Sequence, residues 1–131
     1  MHVLVVGCGR IGARLAEDLA NNGHEVVIID PDPQSVYRLS WNFKGKFLVG
    51  NGSDEDVLKE AGVERADVLT AVTDKDNTNI MVCQIAQRLF KVPKVIARVN
   101  DPDSTQIFHQ LGLETVCLTS LCANFLKEAI L

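Results

Sequence analysis

No apolar run in this sequence approaches the ~18 to 20 residues that a membrane-spanning helix requires, which excludes direct helical insertion into a bilayer. Basic tracts are missing as well. Lys and Arg number 13 against 17 Asp and Glu, and the formal net charge is −4. A nucleic-acid surface needs clustered cations, so no nucleic-acid partner is expected, and charge-driven docking to a membrane has no basis either. Low-complexity segments and linkers are absent. Cysteine is sparse: Cys8, Cys83, Cys117 and Cys122 show no C-x-x-C spacing and lie in apolar runs. They read as reduced, small core residues of a cytoplasmic protein, and no signal peptide stands ahead of the first apolar run. Histidine is equally uninformative. His2 opens a strand, His24 lies in a turn and His109 on a helix, none beside a Ser, Cys or acid in a triad or metal pattern. No metal site and no catalytic residue is therefore expected, and no side chain is placed as the acid or base of a hydride transfer.

What is present is a regular alternation of apolar strands and amphipathic helices. Strands are expected at residues 2–6, 25–29, 46–49, 67–71, 94–98 and 115–118, and helices at 10–22, 33–43, 54–60, 76–90, 103–111 and 120–130. Ile11, Leu15 and Leu19 recur every four residues on the first helix, which should stop at Asn21-Asn22-Gly23. Pro33, Pro93 and Pro102 fall in connections or first helical turns, and Trp41 and Phe43 are expected to fill the back of the second helix. Six β/α repeats with mostly apolar strands imply an α/β fold. It is a Rossmann-type, doubly wound, six-stranded parallel sheet in order 3-2-1-4-5-6, covered on both faces. The 131 residues suffice for a single domain with a real core, and the nucleotide-binding fold uses them all.

The first repeat carries the clearest chemistry. Val3-Leu4-Val5-Val6 runs into Gly7-Cys8-Gly9-Arg10-Ile11-Gly12, a strand feeding a G-x-G-x-x-G turn that opens a helix. Gly7 suits the tight turn, Gly9 the approach of a pyrophosphate, and Gly12 the closure of helix on strand. Helical N–H groups there would face a phosphate. The second apolar run ends in Asp30, where a carboxylate accepts the hydroxyls of an unphosphorylated ribose and repels a 2′-phosphate. NAD(H) or an adenine nucleotide is favoured over NADP. Cys8 has two readings, a thiol of lowered pKa near a helix start or a small residue filling the variable position.

The remaining strand ends form the rest of the rim. In Gly50-Asn51-Gly52-Ser53-Asp54, Asn51 suits an adenine edge, while Ser53 or Asp54 suits a helix cap. Thr73, Asp74 and Asp76 after the fourth strand are either caps or ligand contacts, with Thr73 the better contact. Arg98 in an otherwise apolar strand needs an anionic partner, either a nucleotide phosphate or a carboxylate such as Asp74. Arg10 either reaches a terminal phosphate or stays solvated.

These segments together resemble the TrkA N-terminal domain family, also called KTN or the N-lobe of RCK domains. The resemblance rests on Val5-Val6-Gly7-Cys8-Gly9-Arg10-Ile11-Gly12, Val27-Ile28-Ile29-Asp30, Gly50-Asn51-Gly52-Ser53-Asp54, Ala71-Val72-Thr73-Asp74 and Val95-Ile96-Ala97-Arg98-Val99-Asn100-Asp101-Pro102. It continues through Leu111-Gly112-Leu113-Glu114-Thr115-Val116. It implies a cytoplasmic regulatory domain, peripheral to the membrane, that controls potassium transport through a membrane transporter subunit and binds NAD(H), ATP, ADP or AMP. Gly7, Gly9, Arg10 and Gly12 would take phosphates and Asp30 the ribose. Asn51, Gly52 and Thr73 would border the base, and Arg98 would meet a phosphate. Ile11, Ser53 and Val72, in the same motifs, are counted among the binding residues. Two departures stand out: the family usually has Asp at Asn51, and Thr119-Ser120 replaces a Pro-Glu whose glutamate helps bind a cation in some members. No metal is expected by that route. The family's C-terminal lobe is not expected within these residues.

The last segment bears on assembly. Leu118, Leu121, Cys122, Phe125, Leu126, Ala129 and Ile130 make an apolar helical stripe that would cover this chain's own sheet or a partner's, so a homodimer or higher homo-oligomer is expected. A nucleotide-sensing regulator is the leading functional reading. The alternative is an NAD-dependent oxidoreductase or its cofactor half, and a third reading makes the nucleotide purely structural.

Overall fold

His2–Val6 forms β1, buried along its whole length because it lies at the centre of a sheet covered on both faces at that point. Arg10–Asn21 (α1) leads to β2 (Glu25–Asp30), and β3 follows at Lys46–Val49. Then come α2 (Glu55–Glu60), β4 (Val68–Ala71), α3 (Asp76–Gln84), β5 (Lys94–Val99), α4 (Thr105–Gln110), β6 (Glu114–Cys117) and α5 (Leu118–Ile130). The computed structural model describes all 131 residues. All six strands are parallel, in the expected order β3-β2-β1-β4-β5-β6. β1 pairs with both β2 and β4, so the chain reverses its direction of winding beside the carboxyl end of β1, where such sheets hold ligands.

α1 stops where its sequence indicates. Gly23 takes φ +88°, its N–H donates to the Ala20 carbonyl, and the His24 N–H donates to Leu19, a Schellman closure. Its buried face is made of small residues. Gly12, Ala13, Ala16 and Ala20 meet the sheet, whereas Leu15 and Leu19 are half-buried and Ile11 is exposed. Small side chains let the helix axis approach β1 and β2 closely, and the larger residues turn to the flank.

The expected second helix over 33–43 is only a 3-10 turn, Pro33–Arg38. The Asp32 carboxylate accepts from the Gln34 N–H at its start. Beyond it Leu39 is buried in extended conformation and the Ser40 N–H donates to the Glu17 carboxylate, which binds the chain to α1 in place of a further helical turn. Trp41 consequently packs behind nothing and is 97% exposed, while Phe43 is half-buried against the core. The remaining boundaries agree within a few residues. α3 continues as a π-helical turn over Ile85–Leu89, and α5 begins at Leu118 rather than at residue 120.

The two sheet faces are unequally covered. Leu4, Val6, Leu69, Ala97 and Val99 lie in the larger core with residues of α2, α3 and α4. On the other face α1 covers Val3, Val5, Val26 and Ile28. The β4–β6 half of that face is left as an apolar groove of about 280 Å³ between Ile11, Leu15, Ile96, Val116 and Leu121. α5 does not close it. Every residue from Leu121 onward is exposed, Phe125 by 67% and Ile130 by 80%. No helix is long and apolar enough to cross a membrane. All four cysteines are free; Cys8 and Cys83 are core residues as expected, but Cys117 is half-buried and Cys122 exposed.

Candidate nucleotide-binding cleft

The carboxyl ends of β1, β2, β4 and β5 enclose a cleft of about 530 Å³. It brings together Gly7, Gly9, Arg10, Ile11, Asp30, Val72, Thr73 and Arg98 from the sequence-derived set, and adds Cys8, Asp32, Ser35, Arg38 and Asp74. Three arginines and three aspartates balance one another around it.

The glycine turn is built for close backbone approach. Gly7 takes φ +109°, and a Cβ there would lie 3.0 Å from the Thr73 nitrogen. Gly12 lies behind the cleft: a Cβ there would fall 1.8 Å from the Gly7 carbonyl oxygen, so only hydrogen fits between helix and turn. At Gly9 a Cβ would meet no protein atom. Gly9 is the N-cap of α1; no side chain caps the helix and no acid stands in its first turn. The first N–H groups of α1 are thus left for an anion, with the helix dipole aiding.

Asp30 ties together the turns at the floor of the cleft. Its Oδ2 accepts from the Cys8 N–H at 2.8 Å and its Oδ1 from the Asp32 N–H at 2.9 Å. Each oxygen keeps a lone pair for a hydroxyl. Cys8 proves to be the small buried filler of the two readings. Burial pushes its thiol pKa up, with the Ser35 hydroxyl opposing the rise and the Asp30 charge adding to it, and the thiol donates to the Ser35 carbonyl. The helix start does not make it a reactive thiol.

Arg98 has no carboxylate partner. Its Nε donates to Asn100 Oδ1 at 3.0 Å and its Nη1 to the Val72 carbonyl at 3.2 Å, so neutral oxygens orient it and no ion pair with Asp74 forms. Arg10 and Arg38 are exposed at the rim without a carboxylate partner, and with Arg14 they line an adjoining pocket of about 310 Å³. None of Thr73, Asp74 and Asp76 caps α3 in the expected way: Lys75 is the N-cap, without a side-chain bond. Thr73 Oγ1 instead accepts from the Lys75 N–H, and the Asp76 carboxylate accepts from both N–H groups of Asn100 and from the Asp101 N–H.

Asn51, Gly52 and Ser53 do not line the cleft. Asn51 Oδ1 accepts from the N–H and hydroxyl of Ser53, and a Cβ on Gly52 would come 2.4 Å from Val6 Cγ1, so that glycine serves packing. Asp54, not Ser53, caps α2, through the Asp56 N–H. Ser35 and Arg38 lie within residues 33–43, where a helix is expected and a 3-10 turn instead brings both to the cleft. The Asp30-Pro31-Asp32 turn was the available signal that the chain bends back over the cleft.

Residues 3–119 match the TrkA-N domain. The chain is 40% identical over 131 residues to the Trk system potassium uptake protein TrkA of Streptomyces coelicolor, covering 100% of this chain and 59% of that protein. It is 35% identical to a TrkA homolog of Methanothermobacter thermautotrophicus, covering 99% of this chain and 60% of the other. The chain therefore spans about three-fifths of the length of these relatives. Among solved structures, the TrkA-N domain of inner membrane protein ybaL from Escherichia coli superposes with a TM-score of 0.88 at 23% identity, over 99% of this chain and 96% of that one. The Shewanella denitrificans Kef CTD in AMP-bound form gives 0.84 at 23%, over 99% and 80%. The GsuK channel bound to NAD gives 0.82 at 24%, over 95% and 23%. By the extent of the domain match and the identity to these relatives, the chain belongs to the TrkA-N domain family.

Proposed function

We propose that this chain is the nucleotide-binding lobe of a regulator of potassium transport, holding NAD(H) or ATP, ADP or AMP and acting on a membrane transporter without catalysing a reaction. The observation that carries the reading is the cleft itself: an uncapped helix start, a hydroxyl-accepting Asp30 and an oriented Arg98 converge in it. The relatives' names supply potassium uptake, and the AMP- and NAD-bound neighbours supply the ligand class.

In this reading, phosphates lie against the N–H groups after Gly9, with Arg10 and Arg98 supplying charge. Ribose hydroxyls donate to Asp30, and Val72 and Thr73 border the base. Asn51, Gly52 and Ser53 would contribute only from the loop beside the cleft. The chain would be the N-lobe of a longer assembly at the cytoplasmic face of the membrane. A second copy would cover the bare stripe of α5 and the apolar groove, because large unpartnered apolar surface favours association. Switching would require the nucleotide to prefer one arrangement of that dimer, by no more than its differential affinity.

Calorimetric titration of the purified chain with NAD, NADH, ATP, ADP and AMP tests the reading. Saturable binding of at least one, with a preference between redox or phosphorylation states, is expected. Equal tight binding of all five would favour a structural nucleotide, and binding of none would overturn the proposal. Potassium uptake by cells with and without the chain tests the second half, since uptake indifferent to its presence would refute a regulatory role.

A further inference from the structure

Asn79 is the one polar side chain of α3 that is completely buried, with 0% exposure. An amide in that position costs stability unless every donor and acceptor is satisfied. Here they all are. Oδ1 accepts from the Thr73 N–H at 3.0 Å and the Thr73 hydroxyl at 2.6 Å. Nδ2 donates to the Thr73 carbonyl at 3.0 Å and to the Arg98 carbonyl at 2.9 Å. The capacity of the amide is exhausted. An apolar residue would fill a core position of α3 equally well, so the polarity of Asn79 answers to the two segments it holds.

Those segments are the two far walls of the cleft. The β4–β5 ladder ends with Ala71 opposite Ala97, and beyond it no strand pairing fixes Thr73 relative to Arg98. Asn79 takes over that task. Its amide closes a ring on the N–H and carbonyl of Thr73, as a neighbouring strand would, and its second N–H reaches across to β5. We propose that Asn79 is a positioning residue of the nucleotide site, holding Thr73 and Arg98 at the separation and orientation in which both meet the ligand. The inference rests on the nucleotide reading above, and it assigns Asn79 no contact with the ligand.

The test measures affinity for AMP and NAD by calorimetry, and unfolding by denaturant, for the native chain and for Asn79→Leu, Asn79→Asp and Val63→Ala. Asn79→Leu deletes all four bonds. Asn79→Asp keeps the acceptor for Thr73 and loses both donors. Val63 is buried far from the cleft and serves as a destabilised control. Both Asn79 variants are expected to weaken binding at least about tenfold, equivalent to ~1.4 kcal/mol. Val63→Ala should lose stability and keep native affinity. In an Arg98→Ala background the loss of affinity from Asn79→Asp should shrink to less than half, because part of it passes through Arg98. A merely structural Asn79 would give additive losses of affinity, or none. On the native chain, hydrogen exchange of the Asn79 side-chain amide and the Thr73 N–H should slow when AMP saturates the cleft, a readout that needs no variant to fold. Native-like affinity in the Asn79 variants, or exchange indifferent to AMP, overturns the inference while leaving nucleotide binding intact. A native chain that binds neither AMP nor NAD overturns both.

Discussion

Gly12→Ala and Gly9→Ala, three residues apart in one turn, should fail in opposite ways. A Cβ on Gly12 would lie 1.8 Å from the Gly7 carbonyl oxygen, where real side-chain carbons essentially never come within 3.0 Å. The obstructing atom is backbone, held in a tight turn whose Gly7 N–H is bonded to the Ile29 carbonyl at 2.8 Å, so it cannot swing aside. The start of α1 must move away from β1 instead and loosen the Ala13 and Ala16 contacts. Overpacking of that kind costs about 1–3 kcal/mol or more, a large share of the ~5–15 kcal/mol that holds a domain folded. At Gly9 the same methyl meets no protein atom, and φ is −83°, which alanine adopts freely. Stability should change by less than about 1 kcal/mol, the usual scale of an N-cap exchange.

Binding should respond in the reverse order of directness. The Gly9 methyl projects into the space where a phosphate would approach the first N–H groups of α1, so AMP affinity should fall while the unfolding midpoint stays near native. Urea denaturation followed by circular dichroism, paired with calorimetry at 25 °C, reads both quantities. If Gly12→Ala unfolds at the native urea concentration, the packing argument is wrong. If Gly9→Ala binds AMP as well as the native chain does, the phosphate is not held where the helix start implies.

Three further outcomes are expected. Burial pushes the Cys83 thiol up to about 12 and raises Cys8 as well, whereas the Ser120 hydroxyl lowers Cys117. Iodoacetamide at pH 8 followed by mass spectrometry should therefore label Cys117 and the exposed Cys122 first; early labelling of Cys8 would contradict its buried placement. The Glu17 carboxyl is lowered by its hydrogen bonds from Ser40, and that of Glu25 by the Arg65 guanidinium. A carboxyl lowered on folding adds stability that is complete above its ordinary value of 4.5 and is lost as pH falls through the lowered one. Glu25→Gln should thus be less stable than native at pH 7 and converge with it as pH falls through the lowered carboxyl value; a gap that does not narrow on acidification would refute the ion pair's role. Phe125→Asp on the exposed face of α5 should convert a dimer to a monomer in sedimentation; a native chain already monomeric at all concentrations would refute the proposed interface.

The sheet was legible because its physics is local and repetitive. Val3–Val6 and Val26–Ile29 are unbroken apolar runs, which only a strand buried on both faces sustains, and the glycines and Asp30 follow them at fixed offsets. The end of α1 was equally legible, since Gly23 supplies the left-handed residue its closure needs. Helical periodicity marks a helix without fixing which of its faces is buried or where it ends. Ile11, Leu15 and Leu19 are more hydrophobic than Gly12, Ala13 and Ala16, yet the smaller set faces the sheet because close approach to β1 decides the orientation. The residues 33–43 carry a helical pattern, but the Glu17 carboxylate captures the Ser40 N–H and ends the turn early, a contact across 23 positions that no window sees.

The cleft divides along the same line. Residues that line the cleft through backbone or at strand ends announce themselves by motif, as Gly7, Asp30, Thr73 and Arg98 do. The residues that hold those in place do not. Arg98, half-buried, pairs with no carboxylate; neutral oxygens orient it, the Val72 carbonyl and the Asn100 amide, itself fixed by Asp76. Asp76 and Asn79 stand three apart on α3, so they share one face of that helix, toward the two loops that close the cleft. Read as residues in a helix's first turns, they signal only a cap and a polar surface. What makes them the frame of the site is the divergence of β4 and β5 beyond Ala71 and Ala97, which leaves backbone groups at the rim that only a side chain can satisfy. That requirement arises from topology, and it becomes visible only once the strands have been laid side by side.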